Sequence, residues 1–110
     1  MTSLAESLRQ ARDLLLNKGW VQYTFNSTNG YCILNACHTV VKNGYNQPAH
    51  NMLLSDMRSA LHDTLKESSE SSDLPYVMEW NDTPGRTLDE VLALFDQTIA
   101  NVLEQEIRNG

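Results

Sequence analysis

Trp80-Asn81-Asp82-Thr83-Pro84-Gly85-Arg86-Thr87 is the densest run of specialised residues in the chain. Thr83-Pro84-Gly85-Arg86 reads as a type II turn. Pro pre-sets φ at the second position, and Gly accepts a positive φ at the third. Thr87 then opens a helix, and Glu90 completes a T-x-x-E capping box around its free N–H groups. Beyond the cap, Leu88, Val91, Leu92, Phe95, Ile99, Val102 and Leu103 recur at helical spacing, with Glu90, Gln97 and Glu104 on the other side. Leu94 falls off that stripe and is expected at the surface. Trp80, just ahead of the turn, is expected to be an apolar anchor buried against the first and fourth helices.

The chain before this stretch must supply the surface for that anchor. Ser3-Leu4-Ala5-Glu6 is another capping box and opens helix one, whose buried stripe is Leu4, Leu8, Ala11 and Leu15. Arg9 and Asp13 are spaced to pair at i, i+4. Lys18-Gly19 stops the helix. Trp20 to Phe25 alternates apolar and polar, as a short strand does, and Asn26-Ser27-Thr28-Asn29-Gly30 is turn chemistry. A small hairpin or extended pair is therefore expected between helices one and two. Helix two runs from about Cys32 to Lys42 and ends at Asn43-Gly44, with Ile33, Ala36, Cys37, Val40 and Val41 on one face and Cys32 at the boundary. Helix three starts at Asn46-Gln47-Pro48, with Pro tolerated in the first turn. It turns Leu53, Met57, Ala60, Leu61 and Thr64 inward and His62 outward. Ser68 to Asp73 is a polar loop.

These elements predict a mainly α fold: four helices in a single domain over residues 1–110, with the small hairpin between the first two. A chain of 110 residues has enough length for one modest core. It carries 14 acidic and 8 basic side chains, a formal net charge of −6. That balance opposes direct nucleic-acid binding, which needs a basic footprint. It permits either plain solubility or a surface that meets a basic partner. No apolar run approaches the ~18 residues of a membrane span, and the N-terminus lacks the basic and apolar regions of a signal peptide. A cytoplasmic protein without membrane contact is expected.

Candidate chemistry is sparse. On one helix, five residues separate Cys32 from Cys37, a rise of about 7.5 Å with side chains roughly 140° apart. A disulfide does not fit that separation, and the spacing misses C-x-x-C metal and redox motifs. No metal and no cofactor are expected. A Cys at a helix N-terminus can have its thiolate favoured by the helix dipole. In papain-like enzymes such a Cys follows a Gln that serves the oxyanion and precedes a His. Here Gln22 precedes Cys32, and His38, His50 and His62 follow. Cys32, Gln22 and His50 are thus the catalytic candidates, set against a boundary Cys and a semi-buried His in a small core. Asn81, Asp82 and Arg86 are candidate binding residues. The structural reading of the same loop is an Asx-turn at Asp82 with Arg86 paired to it. Leu94 joins the binding candidates as a contact for a partner or for a second copy. The seam Leu88, Leu92, Phe95, Ile99, Val102 has the 4-3-4-3 spacing of about two heptads, short of a coiled coil, so core packing is its first reading and a homodimer seam its second.

Three segments together resemble a family of small uncharacterised proteins of actinobacteria and their phages. Leu14-Leu15-Leu16-Asn17-Lys18-Gly19-Trp20-Val21-Gln22 is similar to its leucine-rich helix followed by Gly-Trp-x-Gln. Gly30-Tyr31-Cys32-Ile33-Leu34-Asn35-Ala36 is similar to its Gly-x-Cys-x-x-Gly-Ala, with Asn35 where the family has Gly. Trp80 to Leu94 resembles its Trp-Asn-Asp-x-x-Gly-Arg-Thr followed by a helix. The resemblance implies no catalytic role, and it implies a phage or mobile-element origin. The function expected from the whole is a small acidic interaction protein, non-enzymatic, that modulates a host protein. The alternative is a cysteine-dependent enzyme or small-ligand binder built on Cys32 and the Asn81–Arg86 loop.

Overall fold

The first helix, α1, spans Leu4–Lys18 and begins where its cap requires. Ser3 Oγ accepts from the Glu6 N–H at 3.1 Å. Glu6 does not complete the box; it pairs with Arg9, which also reaches Asp13 at 3.4 Å. The computed structural model describes residues 3–24, 26–27, 29–42, 47–68 and 76–109, and the side chains of all these except 26, 27, 47–51, 68 and 109. Its further elements are β1 (Asn26–Ser27), β2 (Gly30–Tyr31), α2 (Ile33–Lys42), α3 (Gln47–Ser68), α4 (Val77–Asn81) and α5 (Leu88–Asn109). No helix among the described residues is long and apolar enough to cross a membrane.

The mainly α architecture with a small hairpin is as expected, and α5 is the expected fourth helix. α4 is an addition. Five residues are too few to show a helical period, and Pro75 just before them reads as a breaker. The expected ends of helix two at Asn43-Gly44, the Asn46 start of helix three and most of the polar loop after Ser68 lie outside the described residues.

Four helices close a ring. α1 packs on α2 and α5, and α3 packs on the other side of both. α4 sits outside the ring on α2 and α3. α3 and α5 run parallel, because Thr64 meets Thr98 and Glu67 meets Asn101. Leu8, Ala11, Leu15, Ile33, Ala36, Cys37, Met57, Leu61, Val91 and Phe95 are fully enclosed at the centre. Burying a side chain such as Phe95 or Leu61 contributes about 1.5–3 kcal/mol.

The hairpin sits later than the alternation suggests. β1 pairs antiparallel with β2, with Asn26 opposite Tyr31 and Ser27 opposite Gly30. Trp20 makes only a single parallel bridge to Tyr31, and residues 21–24 form no strand. The Tyr31 N–H donates to Gly19 O at 2.9 Å, and the Val21 N–H donates to Tyr31 O at 3.1 Å. Gly19 and Gly30 make this crossing possible. A Cβ at Gly30 would lie 2.6 Å from Gly19 O, and one at Gly19 would lie 2.8 Å from Asn29 O.

α5 faces the core along a different line from the expected stripe. Its buried residues are Val91, Leu94, Phe95, Thr98 and Val102. At 100° per residue their mean direction is rotated by about 60° from that of the expected stripe. Leu94 is therefore a core residue, 6% exposed, and not a surface contact. Leu103, expected inward, is 46% exposed. Thr98 explains the rotation. It lies at the centre of the buried arc, and its polarity hides that centre from a reading by hydropathy. Its hydroxyl lies 2.8 Å from Thr64 Oγ1 and 2.7 Å from Leu94 O, so burial leaves no polar atom unmatched.

Candidate functional site

Asn81 closes α4 and is completely buried. Its Oδ1 accepts from Trp20 Nε1 at 2.8 Å and from the Ile33 N–H at 3.1 Å. Its Nδ2 donates to Val21 O at 3.2 Å and to Asp82 Oδ1 at 2.9 Å. All four hydrogen-bonding positions of the amide are thus filled. One side chain ties the segment after α1, the first turn of α2 and the end of α4 together. The Ile33 N–H is one of the donors that a helix start leaves unsatisfied, so Asn81 caps α2 from a distant part of the chain.

Gln22 and Asp82 reinforce the same joint. Gln22 Nε2 donates to Asn81 O at 3.1 Å and to Thr83 O at 2.8 Å. Both of its N–H groups point at backbone carbonyls and not at Cys32. Asp82 Oδ1 also accepts from the Tyr23 N–H at 2.8 Å. Tyr23 has φ +67°, a left-handed conformation that non-glycine residues adopt at a cost. The Asp82 contact helps hold it there.

The turn after α4 forms as its residues dictate. The Arg86 N–H donates to Thr83 O at 3.1 Å, and Gly85 has φ +84°. Thr83 Oγ1 donates back to Glu79 O at 2.9 Å. Arg86 does not pair with Asp82. Its guanidinium lies 3.9 Å from the centre of the Trp80 ring, its Nε donates to Trp80 O at 3.0 Å, and its Nη1 meets Glu90 Oε2 at 2.9 Å. The Thr87 capping box is complete: the Glu90 N–H donates to Thr87 Oγ1 and the Thr87 N–H to Glu90 Oε1. The Thr87 N–H, and then Arg86, hold the Glu90 carboxyl below the usual carboxylate range. Trp80 is only half-buried and belongs to α4, which rests on α2 and α3. It packs against the edge of the core, short of the burial expected, and anchors the turn through Arg86.

Cys32 is the residue immediately before α2 and is fully buried, not a boundary residue. Its Sγ accepts from the Asn35 N–H at 3.3 Å, as an N-cap side chain does. Burial nevertheless outweighs that contact and pushes the thiol pKa up. Cys37 is enclosed in the core, and burial pushes its pKa up to about 12. Both cysteines are free thiols. Of the catalytic candidates, Gln22 spends its amide N–H groups on the turn and not on Cys32, whose thiol is buried. The His50 side chain lies outside the described residues. His62, expected outward, is half-buried and stacks on Tyr76 with ring centres 6.3 Å apart.

The segments that carry the Asn81 joint are the Gly-Trp-x-Gln, the Gly-x-Cys and the Trp-Asn-Asp-x-x-Gly-Arg-Thr stretches. They lie within residues 1–101, which match a family of unknown function, DUF6197. The chain belongs to that family. The match takes in the ring of helices and the Asn81 joint and ends at Asn101, one residue before Val102 in α5. No curated protein and no solved structure matches the chain. Within the matched range, polar residues of two of these segments are engaged with one another: Trp20 and Gln22 from one meet Asn81 from the other. The importance of Trp20 as a polar partner was not legible beforehand, because its indole N–H needs a target that only the fold supplies.

Proposed function

We propose that the protein is a small acidic interaction protein, a phage- or mobile-element-encoded modulator of a host protein, with the last turns of α5 as its contact. The observation that carries this reading is a pair of apolar side chains one turn apart on that helix. Leu103 is 46% exposed and Ile107 is 80% exposed. Glu104 and Glu106 flank them, and Arg108 is paired with Glu104. An apolar ridge edged by acids suits a partner with an apolar groove and basic rim. The cysteine-dependent alternative has less support, because its thiol is buried and held protonated.

Affinity capture from a host lysate tests the proposal, comparing wild type with the Leu103→Ser/Ile107→Ser variant. Both positions are exposed, so the variant keeps its fold. A single stoichiometric protein retained by wild type and lost by the variant supports the reading. Equal capture by both moves the contact away from α5, and no capture at all counts against an interaction role. The homodimer belongs to the same proposal, now sited at Leu103 and Ile107 because Leu94 is in the core. Sedimentation at high micromolar concentration tests it, and a monomeric wild type removes it.

A further inference from the structure

A cleft of about 530 Å³ opens between α2, α3 and α4, away from the Asn81 joint and from the end of α5. Its volume falls within the roughly 300–1,000 Å³ of small-molecule sites. Ser55, Arg58, Ser59 and His62 line one wall at i, i+3, i+4 and i+7, a single face of α3. Tyr76 closes the far side, 68% exposed and stacked on His62. Leu34 and Val77 add apolar surface.

Arg58 sets the chemistry. Arg9, Arg12, Arg86 and Arg108 are each ion-paired, to Glu6, Asp96, Glu90 and Glu104. Among the described residues Arg58 has no such pair, although the chain carries 14 acids. A guanidinium with no ion pair among the described residues, lining the same wall as Ser55 and Ser59, presents a planar fork of donors suited to a phosphate or carboxylate. The Tyr76–His62 stack beside it offers a flat π face. Asp63 also lines the cleft and is an acceptor available to a ligand hydroxyl or N–H. Asp63 works against an anion at close range, whereas the more distant part of the −6 net charge is screened by salt beyond about 8–10 Å.

We propose that this cleft binds a small organic anion, a flat ring bearing one phosphate or carboxylate, with the anionic group on Arg58 and the ring on Tyr76 and His62. Titration of the 15N-labelled protein with AMP, 4-hydroxybenzoate and inorganic phosphate tests it. At least one ring compound is expected to shift the amide signals of Arg58, His62 and Tyr76 in a saturable way. Arg58→Gln is expected to weaken that binding about tenfold or more, as loss of a charge-assisted contact does. Tyr76→Ala is expected to weaken it about threefold while leaving inorganic phosphate unchanged. Both residues are exposed, and the rest of the spectrum reports that each variant is folded. No saturable shifts with either ring compound overturns the proposal. So does Arg58→Gln binding as wild type, or inorganic phosphate binding as tightly as both ring compounds.

Discussion

Trp20 Nε1 donates to Asn81 Oδ1 at 2.8 Å across 61 positions of sequence, and the Asn81 amide that accepts it is wholly buried. This contact joins the exit of α1 to the end of α4. The Ile33 N–H bonds to the same oxygen, so the start of α2 depends on it too.

Removing that amide is expected to be severe. Asn81→Ala leaves the Trp20 N–H, the Ile33 N–H and the Val21 carbonyl without their partner, at about 1–3 kcal/mol for each buried group left unsatisfied. A loss of about 3 kcal/mol or more is expected, which lowers Tm by about 12 °C or more in a chain of this size. Asn81→Asp keeps the acceptor but puts a carboxylate against Val21 O and Asp82, so it should also destabilise strongly. Thermal melts followed by circular dichroism decide the matter. A Tm within two or three degrees of wild type for Asn81→Ala is incompatible with the joint described.

The two glycines at the crossing and at the turn should respond differently to the same methyl group. Gly30→Ala drives a Cβ to within 2.6 Å of the Gly19 carbonyl oxygen, a backbone atom that cannot rotate away. Gly85→Ala meets nothing within 4 Å and carries only the strain of its φ of +84°. That strain costs about 1–2 kcal/mol. Urea unfolding of both variants should show Gly30→Ala as clearly the worse. Equal losses would mean that α1 and the hairpin separate freely.

Arg86 is expected to tolerate neither alanine nor lysine. Lysine keeps the charge but cannot stack flat on Trp80 while donating an Nε–H to Trp80 O. Arg86→Lys should lose most of what Arg86→Ala loses, about 1–2 kcal/mol from the hydrogen bond and the ring contact together. Glu90 adds a pH signature. Its carboxyl titrates below its ordinary 4.5, so its contribution is complete above that value and fades as pH falls through the lower folded one. Chemical denaturation at pH 7 and pH 3.5 should show the wild-type advantage over Arg86→Ala shrinking in acid.

The thiols give the opposite sign. Cys37 is pushed up to about 12 from an ordinary 9.0, so the folded state holds its proton where the unfolded state has released it. Stability is full below pH 9 and falls as pH rises towards 12, by up to about 1.4 kcal/mol per pH unit. Cys37→Ala should lose the Cys37 part of this alkaline sensitivity, whatever its effect on stability at pH 7. In the native state at pH 7.5, a thiol reagent should react slowly with both cysteines, and in denaturant it should count two. A fast-reacting Cys32 in the folded protein would revive the enzyme reading.

How much of this was written in the chain depends on whether its cause is local. Ser3 capping α1, Pro84-Gly85 forming the turn and Thr87–Glu90 opening α5 are set by atoms a few residues apart, so their residue types suffice. The spacing of apolar residues likewise determined that α1, α2, α3 and α5 exist and which faces of the first three are buried. The tertiary structure decided what depends on partners distant in sequence. Thr98 reads as polar and is buried because Thr64 arrives opposite it, which turns α5 and takes Leu94 into the core. Asn81 reads as a loop residue able to bind a ligand and is a buried joint because Trp20, Val21 and Ile33 surround its amide. A polar side chain is stable inside a protein only when its hydrogen bonds are matched, and where those matches come from more than thirty residues away, no local pattern announces them.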